Sequence, residues 1–154
     1  MRFRCGTLRC QAHRPEKCFR SALPWESGWS WNSRAVARAV LIVDDDEGFR
    51  DLASRVVISW GHVVVGCAGS VAEALTRAKE LRPDTALVDI GLPDGDGFRL
   101  AEQLVALPWP VRVMLISSDS DSSNATAARR AGACGFLPKD ELSSAELRHW
   151  IERG

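Results

Sequence analysis

Thr85-Ala-Leu-Val-Asp89-Ile-Gly-Leu-Pro93-Asp-Gly-Asp-Gly97 decides how the rest of the chain is read. A short apolar run, Ala86-Leu87-Val88, stops at a carboxylate. A turn rich in Gly, Pro and Asp follows, and a helical pattern starts near Phe98. Apolar runs this short, bounded by turn residues, suit buried parallel strands. An aspartate at the end of such a strand is poorly placed for packing. It is well placed for chemistry, because open α/β sheets bind ligands beyond the carboxyl ends of their strands. The plainer reading, that Asp89 caps the next helix, ranks lower. Asp94 and Asp96 lie nearer that helix start and are better cap candidates.

The same grammar repeats on both sides. Upstream, Ala39-Val-Leu-Ile-Val43 is a continuous apolar strand followed at once by Asp44-Asp45-Asp46-Glu47. Phe49, Leu52, Val56 and Trp60 mark a helix face at three- and four-residue steps, and Gly61 closes it. Val63–Val65 is a second strand. Ser70-Val-Ala-Glu73 has the form of a capping box and opens a helix with Val71, Leu75, Ala78 and Leu81 on its buried face, ended by Pro83. Downstream, Leu100, Leu104 and Leu107 mark a third helix that stops before Pro108. Val111–Ile116 is a fourth strand, ending in Ser117-Ser118-Asp119. A weak, Ala-rich helix spans about Ser123 to Ala131. Gly135–Leu137 is a fifth strand, followed by Pro138 and Lys139. Ser143-Ser-Ala-Glu146 reads as a second capping box, and Leu147, Trp150 and Ile151 face the core from the last helix.

Five strands alternating with five helices imply a parallel sheet with helices on both faces and right-handed crossovers. The expected fold class is α/β, doubly wound, with the flavodoxin-like strand order 2-1-3-4-5. A closed eight-stranded barrel needs a longer chain. In that order strands one, three, four and five are neighbours. Asp44, Asp45, Asp89, Ser117 and Lys139 then share one sheet edge. Clustered carboxylates raise one another's pKa unless a cation neutralises them, and oxygen ligands beside a phosphate suit Mg²⁺. The lysine can offset part of the charge or hold a phosphoryl group.

Composition narrows the class. The apolar fraction of 45% supports a core. No apolar run approaches the roughly 18 residues that read as a membrane span, and none follows the basic start as a secretory signal would. The net charge of zero hides an asymmetry: residues 1–38 hold eight Lys/Arg against two Glu, the remainder twelve against eighteen Asp/Glu. An acidic domain is not an obvious nucleic-acid binder. Residues 1–37 show no sustained period and read as a disordered basic extension; residues 38–154 form the domain. The alternative, a basic aromatic arm carrying Trp25, Trp29 and Trp31 for nucleic acid or a membrane surface, lacks helical spacing. Cys5, Cys10 and Cys18 with His13 resemble a metal cluster only loosely, without paired C-x-x-C spacing. Cys67 and Cys134 are expected to be small buried residues, in a reducing, cytoplasmic setting.

Taken together, the motifs resemble the receiver domains of two-component response regulators, over about residues 38–153. Val43-Asp44-Asp45-Asp46 resembles the family's acidic pair, Leu87–Pro93 its phosphoacceptor segment, Ile116-Ser117-Ser118 its hydroxyl step, and Gly135-Phe136-Leu137-Pro138-Lys139 its lysine segment. The resemblance implies that Asp89 accepts a phosphoryl group from a histidine kinase. It implies that Asp45, Asp89 and the Gly91 carbonyl bind Mg²⁺, with Asp44 assisting through water. Ser117 and Lys139 would hold phosphoryl oxygens, and Phe136 stands at the switch-aromatic position. Implied partners are a sensor kinase or phosphotransfer protein, a downstream protein or a lost output domain, and a phosphorylation-dependent second copy. Neither direct nucleic-acid binding nor membrane contact is expected of the domain, and it would be a signalling module rather than an enzyme.

Two features depart from the family pattern. Asp140, rather than Pro, follows Lys139, which leaves the peptide geometry there open, and the chain ends just past the last helix. Two other readings compete: an aspartate-nucleophile phosphohydrolase, formally matched by Asp44-x-Asp46, and a receiver-like docking module that is never phosphorylated. The missing cap insertion weighs against the first, and the complete site against the second.

Overall fold

A computed structural model divides the chain into two units, Met1–Arg34 and Ala35–Gly154. It describes residues 36–119 and 121–153, all within the second. All but the last two residues of the expected extension, with the Cys5, Cys10, Cys18 and His13 grouping, lie outside the described residues.

Five parallel strands form the sheet: β1 (Ala39–Val43), β2 (Val63–Ala68), β3 (Thr85–Asp89), β6 (Arg112–Ser117) and β7 (Gly135–Pro138). Their spatial order is β2-β1-β3-β6-β7, the expected 2-1-3-4-5. The two-residue strands β4 (Gly91–Leu92) and β5 (Gly95–Asp96) make a small antiparallel ribbon in the loop after Asp89, a feature the turn residues did not announce. The helices are α1 (Glu47–Ser59), α2 (Val71–Leu81), α3 (Gly97–Val105), α4 (Ser122–Arg130) and α5 (Ala145–Glu152). Among the described residues, no helix is long and apolar enough to cross a membrane.

The strand pleat sorts side chains between two cores. Val40 and Ile42 of β1 face α1 and α5, joining Ala53, Val57, Leu87, Ile116, Leu147 and Ile151. Leu41 and Val43 face the other way and join Ala74, Ala78, Leu100, Leu104 and Ala128 of α2, α3 and α4. β3 lies between β1 and β6 and is buried along its whole length, which is why its sequence shows a continuous apolar run instead of alternation.

The structure moves several expected details. On α1 the buried positions are Ala53 and Val57, while Leu52 is 52% exposed. The large residues suggested the face, but the small Ala53 lets the helix sit close to the sheet. β2 runs on to Ala68, and a register shift between Val40 and Leu41 passes over Val65. On α2 the fully buried residues are Ala74 and Ala78, with Val71, Leu75 and Leu81 half-buried. The N-cap of α5 is Ser144, not Ser143: its hydroxyl accepts the Leu147 N–H at 3.2 Å. Cys134 is exposed and Cys67 half-buried, so neither is the buried residue expected. No cis peptide bond occurs among the described residues, and Lys139–Glu141 form one 3-10 turn after Pro138.

Candidate functional site

Every loop at the carboxyl edge of the sheet is fixed by a side chain that caps a helix. After β1, Asp46 caps α1 by accepting the N–H groups of Gly48 and Phe49 at 2.9 and 3.3 Å. After β2, Ser70 accepts the Glu73 N–H, and Glu73 reaches back to the Gly69 N–H at 2.9 Å. After β3, Asp96 caps α3 through the Phe98 N–H. Asp94 takes a different job from the one expected of it. Its two carboxylate oxygens accept the N–H groups of Val71 and Ala72 at 2.7 and 3.0 Å, so it caps α2 across space. Those bonds hold its carboxyl below the usual range.

Freed from capping, Asp89 projects from the end of β3 beside Asp44 and Asp45. One oxygen from each of the three lies within 4.8 Å of the other two. Asp44 is fully buried, Asp89 nearly so, and Asp45 is exposed. Asp44 Oδ1 accepts the Asp46 N–H at 2.9 Å. Asp44 Oδ2 stands 2.6 Å from the Lys139 ammonium yet receives no well-aligned hydrogen bond, so the contact is chiefly charge on charge. The same ammonium is 3.5 Å from Asp89 Oδ2 and lies over the Phe49 ring, 4.6 Å from its centroid.

The electrostatics follow from this packing. Burial pushes the Asp89 carboxyl up, and the neighbouring Asp44 pushes it further. Lys139 and the Gly91 N–H pull it down without cancelling the rise. Burial alone would lower the Lys139 ammonium, but contact with Asp44 and then the charge of Asp89 outweigh it and leave it raised. Negative charge is therefore incompletely balanced here. Three carboxylates offering only oxygen, close together and with one ammonium between two of them, fit a hard divalent cation such as Mg²⁺.

Of the expected residues, the structure brings one oxygen each of Asp44, Asp45 and Asp89 within 4.8 Å of one another and sets Lys139 against Asp44 and Asp89. Ser117 ends β6 on the same edge, one residue past the partner of Asp89, and its hydroxyl accepts the Asp119 N–H at 3.0 Å. Gly91 meets Asp89 through its N–H, whereas its carbonyl was the expected ligand. Phe136 is half-buried against the α2–α3–α4 core.

Three residues gained no role in the sequence. Phe49 counted only as a helix-face residue, and Arg50 passed unremarked. The Arg50 guanidinium donates to the carbonyls of Asp44 and Asp45 at 2.7 and 3.3 Å. A Cβ on Gly97 would lie 2.2 Å from the Asp89 carbonyl oxygen, so the α3 start touches the backbone of Asp89 itself.

The response regulator receiver domain model matches residues 40–152. The chain belongs to that family. The receiver domain is 38% identical over 102 residues to the DNA-binding transcriptional activator DevR/DosR of Mycobacterium tuberculosis, covering 66% of this chain and 47% of that protein. It is 37% identical over 107 residues to a protein-glutamate methylesterase/protein-glutamine glutaminase of Vibrio parahaemolyticus, covering 68% and 29%. The chain thus spans about half the length, or less, of the curated relatives it matches. Among solved structures, the signal receiver domain of NarL from M. tuberculosis superposes with a TM-score of 0.67 at 34% identity, covering 77% of this chain and 98% of that one. A LuxR-family response regulator from Aurantimonas superposes at 0.70 with 24% identity, covering 77% and 86%, and shares the fold. Receiver domains are signalling modules that typically bind Mg²⁺ in an acidic pocket.

Proposed function

We propose that this receiver domain takes a phosphoryl group on Asp89 from the phosphohistidine of a sensor kinase or phosphotransfer protein and passes the change to a protein partner. The observation that carries the reading is the joint placement of Asp44, Asp45, Asp89 and Lys139, with Asp89 released from any helix-capping role. An Asp89 oxygen attacks phosphorus, an O–P bond forms and the P–N bond of the donor breaks. The leaving imidazole takes a proton from solvent. Phosphoryl transfer of this kind needs positioning and charge neutralisation more than other chemistry. A bound Mg²⁺ would supply the second of these, held by Asp45, Asp89 and the Gly91 carbonyl, with Asp44 acting through water. Lys139 already lies against Asp89 Oδ2 and would hold a phosphoryl oxygen as a point charge. The Ser117 hydroxyl, whose proton its bond to Asp119 does not use, would hold another. Phe136, on the neighbouring β7, would report the change at the surface. This setting is cytoplasmic.

The test is intact-mass spectrometry after incubation with acetyl phosphate. Wild type should gain one phosphoryl group only with Mg²⁺, and the adduct should be base-labile, as an acyl phosphate is. Asp89→Asn should gain none. A base-stable phosphate, or undiminished uptake by Asp89→Asn, would defeat the reading. Steady turnover of a generic phosphate ester would favour the phosphohydrolase alternative.

A further inference from the structure

We infer that Arg50 is a positioning residue for the metal-binding carboxylates, acting through the backbone of Asp44 and Asp45. The inference rests on the acidic cluster being a cation site, and it assigns a function to a cationic side chain that contacts none of the three carboxylates among the described residues. Arg50 lies in the first turns of α1, half-buried. Its Nη1 donates to the Asp44 carbonyl at 2.7 Å and reaches the Asp45 carbonyl at 3.3 Å. One guanidinium therefore ties the two consecutive peptide units that aim the acidic pair.

The surroundings are arranged around that reach. Asp44 N–H donates to the Ala68 carbonyl at 3.0 Å, which fixes the loop from the β2 side. Gly69 follows directly, and a Cβ there would lie 3.4 Å from Arg50 Nη1 and 3.9 Å from the Asp44 carbonyl oxygen. These are ordinary contact distances, so the Gly69 loop packs directly against the guanidinium and the Asp44 carbonyl. Within α1, the Ser54 hydroxyl donates to the Arg50 carbonyl at 2.7 Å. Asp45 gains most from this anchoring. It is exposed, and no described hydrogen bond holds its carboxylate, so the backbone that fixes the direction of its Cα–Cβ bond is what places it at the site.

Charge and position predict opposite signs, which makes the inference testable. Arg50 brings positive charge to a site that binds a cation, so on Coulomb grounds alone its removal should tighten Mg²⁺. If it positions Asp45, removal should weaken Mg²⁺, on the scale of about 10-fold that losing an outer-shell partner costs a metal site. The experiment is calorimetric titration of the whole chain with Mg²⁺ for wild type, Arg50→Met, Arg50→Lys and Arg55→Met, with metal-free thermal melts alongside. Arg55 is exposed on the same helix, so its variant removes equal charge without touching the loop. Arg50→Met should weaken Mg²⁺ about 10-fold, Arg50→Lys by less, and Arg55→Met by under 2-fold. Arg50→Lys keeps the charge and carries the test if Arg50→Met melts below the assay temperature. Tighter or unchanged Mg²⁺ binding by Arg50→Met, or equal loss in Arg55→Met, overturns the inference. Wild type that binds no Mg²⁺ at all overturns the cation-site reading instead.

Discussion

Replacing Gly97 with alanine sets two effects against each other. Gly97 is the first residue of α3, where alanine gains up to about 1 kcal/mol over glycine from helix propensity and from the stiffer unfolded chain. Its φ is not among the positive ones, so the backbone itself would accept alanine. The contacts decide otherwise. A Cβ at this position would lie 2.2 Å from the Asp89 carbonyl oxygen, 2.7 Å from Ile90 Cα and 3.0 Å from the Asp89 carbonyl carbon. Carbon and oxygen in contact prefer about 3.3 Å or more, so the overlap is roughly 1 Å. It falls on main chain, which cannot swing aside as a side chain can. The Gly97 N–H also donates to the Ile90 carbonyl at 2.9 Å, so the helix start cannot retreat without losing that bond. Overpacking costs about 1–3 kcal/mol and the bond about 1 kcal/mol. After the propensity gain, the net is a loss of about 2 kcal/mol, or roughly 10 °C in melting temperature for a domain of this size. Because the displaced atoms belong to Asp89, Mg²⁺ affinity should fall with stability. Calorimetric melts with and without Mg²⁺ would read both. Gly48→Ala, in the first turn of α1 and near only the Asp46 side chain, serves as the comparison. Gly97→Ala melting at or above wild type with unchanged Mg²⁺ affinity would refute the argument.

Lys139→Ala strips the ammonium from two buried carboxylates, so the metal-free protein should lose roughly 3 kcal/mol, the lower end of the cost of breaking a buried pair because Asp89 can take up a proton. Saturating Mg²⁺ should shrink that loss, and the variant should still accept phosphoryl from acetyl phosphate while binding its partner poorly; equal destabilisation with and without Mg²⁺ would count against the lysine as the site's counter-ion. His62 gives a pH dependence. Burial, opposed by Glu152 and assisted by Arg148 and Arg38, holds its imidazole below the usual 6.5, so the folded state disfavours the proton. Stability should be full above about pH 6.5 and fall as pH drops through the lowered folded-state value, and melts at pH 7.5 and 5.5 should differ less in His62→Gln than in wild type. Asp94→Ala should speed hydrogen exchange at the Val71 and Ala72 amides and leave the α5 amides unchanged, since its carboxylate is the bridge from the loop after β3 to α2.

The fold was legible because the buried strands leave no choice of sequence. β1 and β3 must be apolar on both faces, and the residue that ends each must be polar, so Val43-Asp44 and Val88-Asp89 stand out without any contact known. The site followed from topology, since strands β1, β3 and β7 put Asp44, Asp89 and Lys139 on one edge. What escaped depends on distances between segments remote in sequence. Asp94 sits two residues before the α3 cap and looks like a cap for that helix, yet the ribbon at Gly91–Asp96 turns it toward α2, 22 and 23 residues away. The Leu52 error has a local origin. Residue size suggested the helix face, whereas close packing on a sheet favours the smaller Ala53. Arg50 left no trace, because an arginine in a first helical turn looks like any solvated charge until its guanidinium is found on backbone carbonyls.

Hydrogen bonding also separates the acidic residues at this edge into two groups, and the separation bears on which of them can act. Asp46, Asp94, Asp96 and Asp121 each spend carboxylate oxygen on helix N–H groups, a geometry that stabilises the anion and holds it in place. Asp89 is not needed for that purpose, since Asp96 caps the helix that follows it. Its carboxylate is instead buried beside Asp44, where its pKa is raised by burial and by that neighbour. Such a group costs the folded state stability at neutral pH, because the anion there is poorly solvated and imperfectly paired. A packing role would favour Asn, which keeps the shape and removes the charge. In metal-free solution Asp89→Asn should therefore melt a few degrees higher than wild type, and Mg²⁺ should raise the wild-type melting temperature more than that of the variant. A lower melting temperature for Asp89→Asn under both conditions would mean that the charge of Asp89 serves the fold, and the case for it as a phosphoacceptor held against stability would fail.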